Sequence, residues 1–214
     1  MKFNYLFILG FLLVLACKEN KSVSTTPVDP VQGTADLKEF TLTEIAGSNF
    51  KRAVKKDENG HTLEEGYVLD GVKTGAWYNY YPDGRVLAVR NFVNGKVDGT
   101  YLTIDDRGRV VLQAFYKDNY LDGLVSVYKI GSRKMKETYY KNGKKEGIER
   151  EYFELGPPQK ESNYKADVLD GKMRFYNEKA ELVAEYEYKN GVKVSGGAVN
   201  GAQAPAAAQD PTAK

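Results

Sequence analysis

The sequence predicts an all-β protein: an elongated antiparallel β-meander of 24-residue hairpin repeats, with no compact globular core. Three observations lead there. Gly75, Gly99, Gly123, Gly147 and Gly171 stand 24 residues apart without a slip. Two further columns keep that period, one of Tyr80, Ile104, Tyr128, Tyr152 and Tyr176, the other of Phe92, Tyr116, Tyr140, Tyr164 and Tyr188. Turn dipeptides precede the glycines at Asp70-Gly71, Asn94-Gly95, Asn142-Gly143 and Asn190-Gly191, and a second set falls in mid-repeat at Asn59-Gly60, Asp83-Gly84 and Arg107-Gly108. A fixed period of this length marks a repeat array.

Within a unit, Asn-Gly and Asp-Gly supply the positive φ angles that tight reversals need. The segments between turns, such as AWYNYY, VLAVRNF, VVLQAFY and MKETYY, are rich in β-formers and too short for helices between such breakers. Each unit is therefore two antiparallel strands. At about 4.8 Å per strand, five such units and a partial one from Lys51 to Asp70 give a twisted ribbon of roughly 50 to 60 Å. Burying one aromatic from each strand places the Tyr80 and Phe92 columns together on one face, as a ladder of rings. The opposite face is mixed, more apolar in early units (Trp77, Tyr101, Val127) than in later ones (Glu151). Residues 40–45, FTLTEI, are expected to cap the apolar end, as terminal repeats of such arrays require.

The flanks differ in composition. Lys2 precedes an apolar run from Tyr5 to Ala16. About a dozen helical residues span under 20 Å, short of the roughly 30 Å of a hydrocarbon core, so residues 1–16 have the form of an export signal. Cys17, the single cysteine, follows at once. Residues 17–39 are rich in Ser, Thr, Pro, Lys and acids without an apolar period, and form a flexible tether behind Cys17. The repeat domain occupies residues 40–194, and residues 195–214 are an Ala/Gly/Pro tail with little to bury.

Several functions are disfavoured by the same residues. A net charge of +2, spread evenly along the chain, offers no field for nucleic acid. An active site concentrates unlike polar groups, and here they are dispersed among turns. Asp105-Asp106 is a solvated turn pair, His61 a turn residue, and Ser126 and Ser132 have no histidine nearby. One cysteine and one histidine leave few soft ligands for a metal. The recurrent glycines are turn chemistry and not a phosphate cradle. No catalytic residue, metal or cofactor is expected.

Two resemblances add to this reading. Val14-Leu15-Ala16-Cys17 resembles the lipobox of bacterial lipoproteins, which implies that Cys17 becomes the first mature residue and carries lipid. Burial of acyl chains at about 0.8 kcal/mol per methylene makes such an anchor effectively permanent. Lys18-Glu19-Asn20 resembles the lysine-plus-acid signals that send some Gram-negative lipoproteins to the cell surface. Residues 70–101, DGVKTGAWYNYYPDGRVLAVRNFVNGKVDGTY, resemble the bacterial variant of the MORN repeat through Gly75, Trp77, Tyr80, Tyr81 and Gly84. Later units keep Gly123 and Tyr128, while Ser132 replaces the mid-repeat glycine and Pro157-Pro158 interrupts the fourth unit. The resemblance covers residues 51–194 and implies a β-meander used for binding or scaffolding. The expected partners are the membrane, through lipid on Cys17, and either a protein or a cell-wall polysaccharide. Candidate binding residues are the aromatics outside the two columns: Trp77, Tyr78, Tyr101, Tyr120, Phe153 and Phe175. A contiguous strip of them favours sugar, and scattered rings among charges favour a protein partner.

Overall fold

A computed structural model describes residues 37–202, except 130, 132, 155 and 200. The expected signal, Cys17, most of the tether and the end of the tail lie outside the described residues. Six tight turns set the frame. At Asp70-Gly71, Asn94-Gly95, Asp118-Asn119, Asn142-Gly143, Ala166-Asp167 and Asn190-Gly191, both residues have φ between 49° and 81°. Such mirror-image turns match the twist of the flanking strands.

Between the turns run β1 (Thr41–Glu44), β2 (Phe50–Lys56), β3 (Thr62–Leu69), β4 (Val72–Tyr80), β5 (Val86–Val93), β6 (Lys96–Ile104), β7 (Val110–Lys117), β8 (Tyr120–Leu121), β9 (Gly123–Lys129), β10 (Arg133–Lys141), β11 (Lys144–Tyr152), β12 (Pro158–Lys165), β13 (Val168–Tyr176), β14 (Leu182–Lys189) and β15 (Val192–Ala198). They form one open antiparallel sheet of 15 strands whose spatial order follows the chain, with short β8 beside β7. The protein is nearly all β, as the turn periodicity predicts.

The repeated glycine has a specific place in this sheet. Gly75, Gly99, Gly123, Gly147 and Gly171 stand directly opposite Phe92, Tyr116, Tyr140, Tyr164 and Tyr188. Each is left-handed, with φ from 66° to 124°. On the other side of β6 the register jumps between Arg90 and Phe92, so Gly99 lies in a bulge that a Cβ-bearing residue would strain.

Units are also sewn together at the tight turns. The second residue of a turn donates its N–H to a carbonyl one unit back: Gly95 to Lys73, Asn119 to Val97, Gly143 to Leu121, Asp167 to Lys145 and Gly191 to Leu169, all at 2.8 to 3.0 Å. The acid before each later column glycine accepts the turn's first amide. Asp98, Asp122, Glu146 and Asp170 accept from Asp118, Asn142, Ala166 and Asn190 at 3.0 to 3.3 Å.

The two aromatic columns do not share a face, which corrects the sequence expectation. Trp77 pairs with Arg90 and Gly75 with Phe92, so an odd position on β4 shares a face with an even one on β5. Tyr80 is even and on β4, hence on the face opposite Phe92. The Phe92 face is the core face. It buries Ala53, Trp77, Tyr101, Val125, Glu149 and Met173, a further column at the 24-residue period. Trp77 is 0% exposed, stands edge-on to Phe40 at 5.5 Å and to Phe92 at 6.0 Å, and donates Nε1–H to the Tyr67 carbonyl at 3.1 Å. Tyr80, Tyr128, Tyr152 and Tyr176 are only half-buried on the other, open face.

Both domain limits shift slightly. Leu37–Glu39 is a 3-10 turn inside the expected tether, because Leu37 and Phe40 pack on the first core cluster. β15 continues past residue 194 to Ala198, since Glu187↔Ser195 through Ala184↔Ala198 still pair.

Trp77→Ala is expected to cost about 3 to 5 kcal/mol by urea unfolding, as for large core truncations. Tyr128→Ala, on the open face, is expected to cost about 1 kcal/mol. A Cβ at Gly66 would overlap the Trp77 indole, so Gly66→Ala should destabilise by about 1 to 3 kcal/mol although it adds one methyl group.

Candidate functional site

The six candidate aromatics divide between the faces. Trp77, Tyr101 and Phe175 are buried on the core face, which removes them from any binding surface. Their strands turn odd-numbered side chains inward, and each packs against rings or aliphatic groups of the next strand. Tyr78 is exposed on β4, Tyr120 is exposed beside a tight turn, and Phe153 is half-buried in the turn between β11 and β12. These three lie on separate elements and do not make one strip.

What the open face brings together instead is an apolar row across its middle. Phe115 on β7, Leu124 on β9, Tyr139 on β10 and Ile148 on β11 occupy adjacent strands and are 37% to 52% exposed. Leu124 pairs directly with Tyr139, and Phe115 lies against the backbone of Gly123. The row is legible in part as a 24-residue column (Tyr67, Phe115, Tyr139) interrupted by Asn91 and Asn163. Single aromatics outside the two regular columns do not reveal it, because Leu124 and Ile148 are aliphatic and Phe115 and Tyr139 belong to this broken column.

Beside the row, the open face is polar and ordered. Tyr80 donates to Glu65 at 2.6 Å, Tyr152 to Glu137 at 2.5 Å and Tyr176 to Glu161 at 3.0 Å. Each tyrosine reaches the acid fifteen positions before it. Burial and the Glu137 carboxylate push the Tyr152 hydroxyl up to about 12. Burial and then Glu65 push Tyr80 up in the same direction. The Tyr80 hydrogen bond, followed by Arg52, holds Glu65 below the ordinary carboxylate value. Towards the C-terminus, Glu137, Arg150, Glu161, Arg174 and Glu185 are successive cross-strand partners, an alternating charge ladder with Arg150–Glu161 and Arg174–Glu185 both at 2.7 Å.

One open cleft of about 600 Å³ lies at the first mid-repeat turns, lined by Arg52, His61, Glu65, Tyr80 and Asp83 among others. Its charged groups already have partners: Arg52 holds Glu65 at 2.5 Å, His61 Nδ1 meets Asp57 beyond the cleft at 2.9 Å, and Asp83 is bound by Arg85. Because the Tyr–Glu contact recurs with the repeat, it belongs to the scaffold of the sheet more than to one reactive site. Asp105, expected from sequence to be a solvated turn residue, is 9% exposed; its carboxyl is drawn down to about 2 by Arg109, whose guanidinium it binds at 2.6 Å, and its other oxygen accepts the Arg107 and Arg109 amides. Among the described residues no three His, Cys, Asp or Glu side chains are arranged to hold a metal.

The core face has a polar seam. Glu149 takes the place of the buried Trp77, Tyr101 and Val125, is 3% exposed, and binds Lys145 at 2.7 Å, Lys136 at 3.0 Å and the Thr138 hydroxyl at 2.9 Å. It separates an apolar cluster running from Ala53 to Val125 from a second one around Met173, Phe175 and Tyr186. Burial raises the Glu149 pKa, but Lys145 and Lys136 outweigh it and hold the carboxyl below its usual 4.5.

No protein-family model matches the chain, and no curated protein matches it. Among solved structures, the GtfA/B complex bound to UDP and GlcNAc aligns at 16% identity with a TM-score of 0.26, over 53% of this chain and 23% of that one. A point mutant of S. aureus TarM, in complex with fondaparinux, α-GlcNAc-glycerol and UDP, aligns at 10% identity with a TM-score of 0.23, over 73% of this chain and 21% of that one. The chain thus spans less than a quarter of either, and similarity this low supports no functional transfer.

A depressed folded-state pKa stabilises above the ordinary value and is lost as pH falls through the folded one. Glu149→Gln should therefore destabilise by about 2 kcal/mol at pH 7, because the buried negative charge facing Lys136 and Lys145 is lost and one of its two acceptor oxygens becomes an amide donor. The gap between variant and parent should close as pH drops below about 4, followed by urea melts at several pH values.

Proposed function

We propose that the chain is a lipid-anchored cell-envelope protein whose β-ribbon, of the kind the MORN resemblance implies, acts as a protein-interaction or scaffold module. The supporting observation is the exposed row Phe115, Leu124, Tyr139 and Ile148. A row that mixes aliphatic and aromatic groups suits an apolar protein contact, since stacking on sugars uses rings alone. A non-catalytic role accords with polar contacts that recur along the array. Lipid on Cys17 would hold the ribbon at the outer membrane, where Lys18-Glu19-Asn20 directs it to the surface. Among the described residues no helix is long and apolar enough to cross a membrane.

A pull-down from solubilised outer membrane, run beside a glycan array, tests the reading. The parent should retain a discrete protein partner, and Leu124→Ser with Tyr139→Ser should lose it while keeping the parent's circular dichroism. A glycan signal that survives this double change, with no protein retained, would favour the polysaccharide alternative. Cys17→Ser should abolish palmitate labelling and release the protein from membranes, and normal labelling of that variant would remove the anchor.

A further inference from the structure

The apolar row has a charged neighbour. Lys117, Lys141 and Lys165 lie two positions further along β7, β10 and β12 from Phe115, Tyr139 and Asn163, and so on the same open face. All three are exposed and hold no salt bridge among the described residues, whereas Lys96 and Lys189 at the same turn edge are paired with Asp118 and Asp170. The acids beside them are engaged elsewhere: Asp118, next to Lys117, and Asp170, within reach of Lys165, are held by Lys96 and Lys189, and Asp122 and Glu146 accept the Asn142 and Ala166 amides.

Two spacings then decide what fits. The apolar positions stand one strand apart, about 4.8 Å, and the lysines two strands apart, about 10 Å. A helix lying across the strands repeats its apolar stripe about every 5.4 Å, and places residues seven apart at about 10.5 Å. We propose that the open face of β7 to β12 docks an amphipathic helix of a protein partner, its apolar stripe on Phe115, Leu124, Tyr139 and Ile148 and acidic residues at seven-residue spacing against Lys117, Lys141 and Lys165. An extended segment matches less well, because its same-side residues recur at about 6.8 Å. The docking rests on the protein-interaction reading above and names its partner class.

The probe is a fluorescein-labelled helical peptide of about 18 residues, or five turns, with leucine on one face and glutamate along one flank. A matched peptide carries lysine on that flank. Binding is read by anisotropy against the full lipidated chain in zwitterionic nanodiscs, with empty discs as the blank. The glutamate peptide should bind at least about tenfold tighter than the lysine peptide, and weaken as salt rises from about 0.05 to about 0.3 M. Lys117→Gln, Lys141→Gln and Lys165→Gln together should cut affinity roughly tenfold and flatten the salt dependence. Leu124→Ser with Tyr139→Ser should remove binding with the circular dichroism unchanged. Equal affinity for the two peptides, or an unaltered triple variant, overturns the proposal, as does capture of phosphatidylserine vesicles by this face in place of the peptide. If the peptides fail while the pull-down partner is still lost in the Leu124/Tyr139 variant, the scaffold reading stands and the acidic helix does not.

Discussion

Each unit of the sheet depends on a glycine held in a left-handed conformation opposite an aromatic ring. A side chain at Gly99 or Gly171 would be strained by its φ and would press on Asn91 or Asn163. The bulge created there does two jobs. It changes the pairing register on one side of the strand, so that every unit presents equivalent positions to the core face. It also brings the acid before the glycine to the amide of the next turn. Periodicity in the sequence and stitching between units thus share one cause, and a unit that lost its glycine would disturb its neighbour as well.

Charge is distributed so that most of it is absorbed by the fold. The acids at 98, 122, 146 and 170 cap turns, those at 65, 137 and 161 anchor tyrosines, and Glu149 is enclosed by two lysines. With so many carboxylates committed locally, the lysines grouped at the turn edge of β7, β10 and β12, unpaired among the described residues, gain meaning that a net charge of +2 conceals. The substitution of Glu149 into an otherwise apolar column also shows that the array is not uniform. Its middle is held by ion pairs, and its two ends by packed rings and aliphatic groups.

The fold is legible because turn chemistry is local. Asn-Gly and Asp-Gly announce positive φ without reference to anything distant, and five glycines in phase give the strand count. Asp118-Asn119 and Ala166-Asp167 adopt the same turn without glycine, and only the period could reveal them. Side-chain facing is harder. Which columns share a face depends on a pairing register, and a shift of one residue exchanges the faces. That is why Tyr80 groups with Phe92 when the columns are read without a register. It is also why Trp77, Tyr101 and Phe175 look available for binding when they are among the most buried residues of the sheet. The open-face row is hidden for a related reason: its members come from four strands, and no single stretch of sequence contains them.

The order of strands in space, identical to their order in the chain, has a mechanical consequence. A pull applied between the two ends of the sheet loads its outermost strands first, and each ladder of hydrogen bonds opens like a zipper. No strand is clamped between two others that are distant in sequence, so nothing in the topology resists in shear. A peeled strand of about eight residues releases roughly 25 Å of chain. A tethered ribbon built this way would yield by increments under tension and re-form hairpin by hairpin once the load is removed, a compliant spacer in place of a rigid strut.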